Sequence, residues 1–232
     1  MEQHTSSIGH SSKPNSVDMI VVCPHDPTSF SMWADGSNID IVLKIHNKMM
    51  PYIENKYSIR AERSSRFIQG FPMGGFGVLA HGLKYPEKFS KIIIWDGALH
   101  DWKTLSTMRK FIASRQFDNS EELFSEWSPY TLAETFSSSM SLSGTDGTDI
   151  STDALSQTMT ATTEPPSILM FSGGMSITDK LASKYKTTLE ESDVFGFVHI
   201  KTKIGHNLKD FLKCHDRDAL EFLGLTAAAD GQ

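Results

Sequence analysis

Residues 66–81 read Arg66-Phe-Ile-Gln-Gly-Phe-Pro-Met-Gly-Gly-Phe-Gly-Val-Leu-Ala-His81. The apolar pair Phe67-Ile68 leads into Gly70, more glycines follow, and an apolar run of helical character begins at Val78. Glycine permits tight turns that other residues disfavour. The stretch therefore predicts a buried strand, a tight turn and a helix, and it indicates an α/β fold in which parallel strands alternate with helices.

The residue at the apex of the predicted turn is Pro72. A serine at this position would complete Gly-Phe-Ser-Met-Gly, the nucleophile-elbow pattern of a hydrolytic enzyme. Proline has no hydroxyl, no thiol and no backbone N–H, so it cannot attack a carbonyl group. The sequence therefore argues against a covalent acyl-enzyme mechanism.

From Met19 to about Phe222 the chain resembles the esterase D and feruloyl-esterase-like branch of the α/β-hydrolases. The stretches that carry the resemblance are Ile20-Val-Val-Cys-Pro24, Met50-Pro-Tyr-Ile-Glu54, Gly70-Phe-Pro-Met-Gly-Gly-Phe-Gly77, Leu83-Lys-Tyr-Pro-Glu-Lys-Phe-Ser90 and Ile204-Gly-His-Asn207. The resemblance implies an N-terminally shortened α/β-hydrolase fold with about five mostly parallel strands flanked by helices. Met19–Cys23 is expected to be the first strand, buried on both faces, with Cys23 as a buried hydrophobic residue.

The resemblance also assigns the three positions of a Ser-Asp-His triad. The nucleophile position is Pro72, the histidine position is His206, and the acid should follow the predicted strand 167–171. No carboxylate stands in Ser172-Gly-Gly-Met-Ser-Ile-Thr178, where that acid is expected. Only His206 therefore matches the pattern.

Ligands in open α/β sheets bind beyond the carboxyl ends of the strands. Asp26 and Asp96 each follow a predicted strand, and either could orient His206 or supply an acid. We therefore predict His206, Asp26 and Asp96 as catalytic residues, although Asp26 could equally cap a turn. The predicted substrate-binding residues lie at the same sheet edge or in the elbow: His25, Trp33, Phe71, Pro72, Met73, Gly74, His100, Trp102 and Ser176.

The elbow is expected to retain backbone hydrogen-bond donors although it has no serine. The amides of Met73 and Gly74 are expected at a helix N-terminus, where they can bind an oxyanion or carboxylate. The predicted aromatic and methionine side chains near this point would suit a long conjugated chain, or they could be plain core residues.

The domain organisation is predicted as one α/β domain, residues 18–225, between tails at 1–17 and 226–232. Ser and Thr make up 15 of the 29 residues at 135–163, which predicts a mobile loop or a lid inserted in the domain. A shortened sheet leaves one strand as an unpaired edge. We expect a homodimer to bury that edge, the alternative being cover by residues 1–17 or by helices within 103–134.

The bulk composition excludes several functions. The net charge of −6 and the lack of a long basic run argue against nucleic acid as a partner. No apolar stretch approaches the roughly 20 residues of a membrane span, and no secretory signal or disulfide framework is visible, so a cytoplasmic location is expected. No phosphate loop, dinucleotide fingerprint or metal-ligand spacing occurs, so no cofactor and no metal are expected.

Three functional hypotheses remain. The first is a non-covalent acid–base enzyme, in which His206 is the base and the substrate carries its own nucleophile. The chain also resembles hydrolase-like proteins encoded in fungal polyketide gene clusters of the aurovertin type, and this resemblance implies lactonisation of a polyketide acid or thioester, handed over by a polyketide synthase, to an α-pyrone. The second is a catalytically dead esterase that binds or scaffolds, and the third and weakest is a metal-dependent enzyme.

Overall fold

The protein folds around a four-stranded parallel sheet. The computed structural model describes residues 19–26, 31–37, 39–143, 164–174, 177–193 and 195–225. The strands are Phe67–Gly70 (β1), Lys91–Trp95 (β2), Ser167–Gly173 (β3) and Phe197–Thr202 (β4), in the sheet order β1-β2-β3-β4. Every neighbouring pair is parallel. The predicted α/β fold class is confirmed, with four strands rather than five among the described residues.

Eight α-helices connect and flank these strands within the described part of the chain. They are Met50–Lys56 (α1), Met73–Lys84 (α2), Trp102–Met108 (α3), Lys110–Phe117 (α4), Glu121–Ser125 (α5), Pro129–Ser143 (α6), Ile177–Ser192 (α7) and Leu208–Leu223 (α8). A π-helical stretch, Leu43–Met49, leads directly into α1. Pro51 lies in α1 directly after this stretch and cannot donate a backbone hydrogen bond to the preceding turn of the continuous helix.

Apolar layers cover both faces of the sheet. Ile92 and Ile94 of β2 pack on the side of α2, α6 and α7, whereas Ile93 and Trp95 pack on the side of α8. This alternation follows from the two-residue period of a strand and explains the continuous apolar run of β2. Each fully buried side chain of this kind stabilises the fold by about 1.5–3 kcal/mol relative to an exposed one. The carboxyl ends of all four strands are thereby held at one edge.

The prediction of a first strand at Met19–Cys23 is wrong. Residues 19–26 have no regular secondary structure, and the side chains of Met19, Ile20, Val21 and Val22 are 39–60% exposed. Cys23 is exposed as well, not buried. A strand needs a neighbour for its backbone hydrogen bonds, and no described residue pairs with this segment. The apolar pattern alone could not show that the partner is absent.

The Ser/Thr-rich stretch begins as a helix, not as a loop. Helix α6 continues to Ser143 and packs Phe136 into the core. The hydroxyl of Thr135 donates to the carbonyl oxygen of Thr131, and that of Ser138 donates to Glu134. These bonds to the preceding turn let hydroxyl side chains remain in a helix that packing stabilises. The rest of the predicted insertion, residues 144–163, and the predicted tails lie outside the described residues.

Candidate functional site

A cavity of about 320 Å³ lies where the four strands end. Pro72 follows β1, His100 follows β2, Thr178 follows β3 and His206 follows β4, and all four line the cavity. The other lining residues are Met32, Met73, Ala98, Arg109, Ile112, Ile177 and Leu181. This position at the sheet edge is the one that open α/β sheets use for ligands.

The elbow between β1 and α2 is tight but unstrained. A Cβ atom on Gly70 would lie 2.1 Å from the carbonyl oxygen of Gly74, so only glycine fits there. Pro72 has the helical angles φ −74° and ψ −42°. A nucleophile elbow instead holds its serine in a strained turn. Because the proline ring fixes φ near this value, residue 72 has lost both the nucleophile and the strained geometry.

Two backbone amides at the start of α2 are open. The N–H groups of Met73 and Gly74 have no acceptor among the described residues, and Pro72 provides no side-chain cap. A Cβ atom on Gly74 would have no neighbour within 4 Å, so the space beside this turn is free. The partial positive charge of a helix N-terminus adds to the donors. Met73 lines the cavity, so its amide can stabilise an oxyanion that forms there, whereas the predicted binding residue Gly74 does not line the cavity.

Asp96 is a fully buried carboxylate at the end of β2. Its backbone has a positive φ of 47°, a conformation that Asp tolerates better than most residues, and its exposed fraction is 0%. Its Oδ1 accepts hydrogen bonds from the N–H of Gly173 at 2.9 Å and from Oγ1 of Thr178 at 2.6 Å. Its Oδ2 lies 2.5 Å from Nδ1 of His206. Three donors thus compensate the cost of burying this group.

His206 is oriented by Asp96 and faces the cavity. A carboxylate only accepts hydrogen bonds, so Nδ1 of His206 carries the shared proton and Nε2 of the neutral ring has a free lone pair. Nε2 has no partner among the described residues. The ring of Phe71 packs against the imidazole with 4.7 Å between the ring centroids. The arrangement is that of a general base held in one tautomer.

The carboxylate therefore comes from a different strand than the resemblance implied. The expected position after β3 has no acid among its described residues, and Asp96 reaches it from the end of β2. The contacts with Gly173 and Thr178 show that the carboxylate sits at the end of β3 although its backbone belongs to β2. A sequence comparison that searches only the expected loop would miss this partner.

His100 lines the cavity with an unpartnered imidazole. The residue is 2% exposed, and Nδ1 is buried without a hydrogen-bond partner among the described residues. Burial and, to a smaller extent, the positive charge of Arg109 lower the pKa of His100 to about 4, against the opposing charge of Asp101. The ring is thus neutral near pH 7 and can offer one N–H donor to a ligand.

Several predicted site residues do not line the cavity. Asp26 accepts hydrogen bonds at Oδ2 from the N–H and the hydroxyl of Ser31, which makes it a turn-capping group. Of the two predicted carboxylates, Asp96 is the one that contacts His206. His25 is exposed beside Asp26. Trp33 packs against α2, where a Cβ on Gly77 would meet it at 2.3 Å.

The remaining predicted residues divide between core and cavity. Trp102 packs against Phe124, with 5.6 Å between the ring centroids, and belongs to the core beside α3. Phe71 contacts the cavity only through His206. Pro72 and Met73 line it directly. Ser176 lies outside the described residues.

Several lining residues carry no signal in the sequence. Arg109 lies between α3 and α4, and Met32 lies in a segment without regular structure. Ile112 and Leu181 have ordinary helical spacing that predicts core. These residues are far apart in the sequence, and only the folded structure brings them together at the cavity.

A second group of Ser, His and Asp side chains is not a triad. Oγ of Ser172 lies 2.8 Å from Nε2 of His199 and 3.1 Å from Oδ1 of Asp179. The serine therefore stands between the other two residues, whereas a triad needs the histidine in the middle. Ser172 is also fully buried. The group ties β3, β4 and α7 together and offers no accessible nucleophile.

Comparison with known proteins supports an esterase-like scaffold. Residues 34–144 match the family model for esterases, which is slightly less than half of the chain. A ferulic acid esterase matches with a TM-score of 0.57 at 13% identity, over 84% of this chain and 64% of that one. The S-formylglutathione hydrolase of Agrobacterium tumefaciens matches with a TM-score of 0.61 at 13% identity, over 85% and 63%. The fluorophosphonate-binding serine hydrolase F of Staphylococcus aureus gives 0.58 at 15% identity, over 85% and 68%.

These similarities define the fold and leave the activity open. The chain spans slightly less than two thirds of the length of the first two structures that it matches. No curated protein matches the sequence. The protein therefore has an α/β fold of the esterase and α/β-hydrolase type, with the cavity at the sheet edge described above.

The described residues show neither a metal site nor a membrane helix. No three His, Cys, Asp or Glu side chains in that part of the chain are grouped to hold a metal ion. None of the helices found there combines the length and the apolar character that crossing a bilayer requires.

Proposed function

We propose that this protein is a non-covalent acid–base cyclase that lactonises a polyketide acid or thioester to an α-pyrone, with His206 as the base and Asp96 as the carboxylate that orients it. One observation carries the proposal. A histidine bonded to a buried aspartate faces a cavity in which Pro72 occupies the nucleophile position. Such a site can move a proton but cannot form an acyl-enzyme.

The proposed reaction uses a nucleophile that belongs to the substrate. Nε2 of His206 removes the proton of an enol hydroxyl, whose oxygen attacks the thioester carbonyl of the same chain. The new C–O bond creates an oxyanion, which the amide of Met73 stabilises. Collapse of the oxyanion breaks the C–S bond, and His206 returns the proton to the leaving thiolate. The products are the lactone and a free thiol.

The cavity would supply most of the acceleration by folding the chain. Holding the enol oxygen close to the carbonyl carbon converts attack into an oriented intramolecular step, an effect of up to about 7–11 kcal/mol in favourable cases. The apolar lining side chains, among them Met32, Met73 and Leu181, suit the body of a conjugated chain. A polyketide synthase would supply the chain as a carrier-bound thioester or as the free acid.

The His206→Ala variant tests the proposal. It is expected to lower the rate of lactone formation from an enol-bearing polyketide thioester by about 10²–10⁴-fold, because the general base is removed. Lactone is measured by mass and absorbance against a reaction without protein. The matched control is His215→Ala, which removes another aspartate-bound histidine, on α8, that does not line the cavity. His215→Ala should retain the wild-type rate.

A catalytically dead esterase that only binds a ligand is the competing function. It predicts that wild type and His206→Ala both form lactone at the rate of buffer, although both bind the substrate. That result would remove the cyclase proposal. Equal acceleration by both proteins would place the base elsewhere and would remove the role of His206.

We also propose that the protein is a homodimer. The outer side of β1 has no strand partner among the described residues, and the apolar segment 19–22 is exposed, with Val21 at 60%. Sheet edges of this kind invite pairing with a second chain. Light scattering should give twice the chain mass of 25.8 kDa for wild type, and the monomer mass for Val21→Lys. A monomeric wild type at micromolar concentration would contradict the dimer.

A further inference from the structure

The cavity contains two polar side chains that the proposed reaction does not use. Of its lining residues, His100, Arg109, Thr178 and His206 are polar, and the others are apolar. Thr178 and His206 are bonded to Asp96. His100 and Arg109 therefore remain as polar groups without an assigned role.

His100 lacks the partner that a buried polar group normally has. Its exposed fraction is 2%, and no described residue forms a hydrogen bond with its imidazole. Most buried polar side-chain atoms in proteins have at least one partner, and exceptions at a cavity often indicate a ligand. The neutral ring has one N–H donor and one acceptor nitrogen, so it can donate a hydrogen bond to an acceptor on a ligand.

Arg109 adds a positive charge beside this ring. No carboxylate within the described ranges forms an ion pair with Arg109. The carboxylate that follows His100 in sequence, Asp101, is already engaged: it accepts from the N–H and hydroxyl of Thr104 and pairs with Lys184. The positive charge of Arg109 contributes to the lowered pKa of His100. The cation is therefore available for an anion in the cavity.

We propose that His100 and Arg109 form a carboxylate anchor, which holds a carboxylate carried by the substrate at a point remote from the carbonyl that reacts beside His206. The planar guanidinium group matches the two oxygens of a carboxylate, and the imidazole N–H adds a third donor. The apolar side chains that line the cavity would contact the body of the chain. This inference rests on the proposed function for the identity of the reacting carbonyl, and it defines the substrate class as an acyl chain with a second, acidic end.

Binding measurements test the anchor without turnover. Decanoate and its methyl ester are titrated calorimetrically against wild type, Arg109→Gln and Arg115→Gln. The control Arg115 lies on α4, which begins directly after Arg109, with its guanidinium over Phe111, and it does not line the cavity. Wild type and Arg115→Gln should bind decanoate at least about tenfold more tightly than the ester, and Arg109→Gln should lose that preference while still binding the ester.

The outcomes separate the anchor from the cyclase. Equal affinity for acid and ester in wild type, or an unchanged preference in Arg109→Gln, overturns the anchor. A second variant, His100→Asn, should weaken decanoate binding with little effect on the ester, and an equal loss for both ligands speaks against a role for His100. If the carboxylate preference is found but no lactone forms, the anchor stands and the proposed reaction fails.

Discussion

Asp96→Asn is expected to lower the rate of lactone formation by about 10³–10⁴-fold while substrate binding and the fold are retained. The reason is the tautomer of His206. The two donors at Oδ1, the N–H of Gly173 and the hydroxyl of Thr178, require an oxygen there. The amide oxygen that the substitution introduces is therefore held on that side, and the new NH₂ group faces Nδ1 of His206. The neutral ring then carries its proton on Nε2 and cannot accept one from the substrate.

The measurement is kcat at saturating substrate, together with the ¹⁵N chemical shifts of the His206 ring. The shifts should show Nδ1–H in wild type and Nε2–H in Asp96→Asn. Asp218→Asn is the matched control, because it alters the other aspartate bonded to a histidine, His215 on α8. That variant should keep its rate within about twofold. A loss of less than tenfold in Asp96→Asn, with the tautomer reversed, would show that orientation by Asp96 does not drive the reaction.

The strand, turn and helix of residues 66–81 could be predicted because they depend on residues that are close together in the sequence. The glycines of residues 66–81 predicted strand, turn and helix, and β1 and α2 lie there. A Cβ on Gly75 would lie 2.7 Å from Cα of Gly97, so the same glycines also let the loops after β1 and β2 approach each other. That contact between loops was not visible from the pattern.

The sequence limited the carboxylate partner of His206 to two candidates but did not distinguish between them. Asp26 and Asp96 both follow apolar runs, and both are polar residues at the expected edge. The choice depends on the left-handed backbone of Asp96, which turns its carboxylate toward the end of β3. Asp26 instead accepts from the N–H and hydroxyl of Ser31, which lies five residues later. A difference of this kind follows from tertiary packing and has no counterpart in hydrophobic periodicity.

The wrong prediction of a strand at Met19–Cys23 and the unpredicted place of Arg109 at the cavity have the same physical origin. Met19–Cys23 has the composition of a buried strand, but a strand forms only where a neighbour completes its hydrogen bonds. Arg109 is a charged residue of the kind expected at the surface and it is exposed, yet it also borders the cavity because α3 ends beside it. In both cases the outcome depends on which residues are neighbours in the folded structure. A single sequence contains that information only indirectly.

The buried pair His46–His81 is expected to make folding strongly dependent on pH. Nε2 of His81 lies 2.7 Å from the carbonyl oxygen of Trp33, which can only accept, so this nitrogen is the donor. Nδ1 of His81 then accepts from Nε2 of His46, also at 2.7 Å. The pair has no place for another proton. A proton on Nδ1 of His81 would set two N–H groups against each other, and a proton on Nδ1 of His46 would have no acceptor among the described residues.

Burial accordingly lowers the pKa of His46 to about 3 and that of His81 to about 4. In the unfolded chain both histidines take up a proton near pH 6.5. The unfolded state therefore binds more protons below this pH, and the stability that is complete above pH 6.5 is lost as the pH falls toward 4. The slope from each histidine approaches about 1.4 kcal/mol per pH unit only once the unfolded form is fully protonated, so the pair gives roughly 2 kcal/mol per unit between pH 6 and 5.

Urea unfolding monitored at intervals from pH 7.5 to 5 measures this slope. His46→Gln should reduce the slope by at most about a third, because it removes one of three histidines whose pKa lies near 3–4 in the fold, the others being His81 and His100. The side-chain amide of the variant can still donate to Nδ1 of His81. His25→Gln, which alters an exposed histidine outside the pair, should leave the slope unchanged. Equal slopes in wild type and His46→Gln would assign the acid sensitivity to other groups. Native stability is commonly only about 5–15 kcal/mol, so a loss of roughly 2 kcal/mol per pH unit from this pair is a large part of it and makes the fold sensitive to acid.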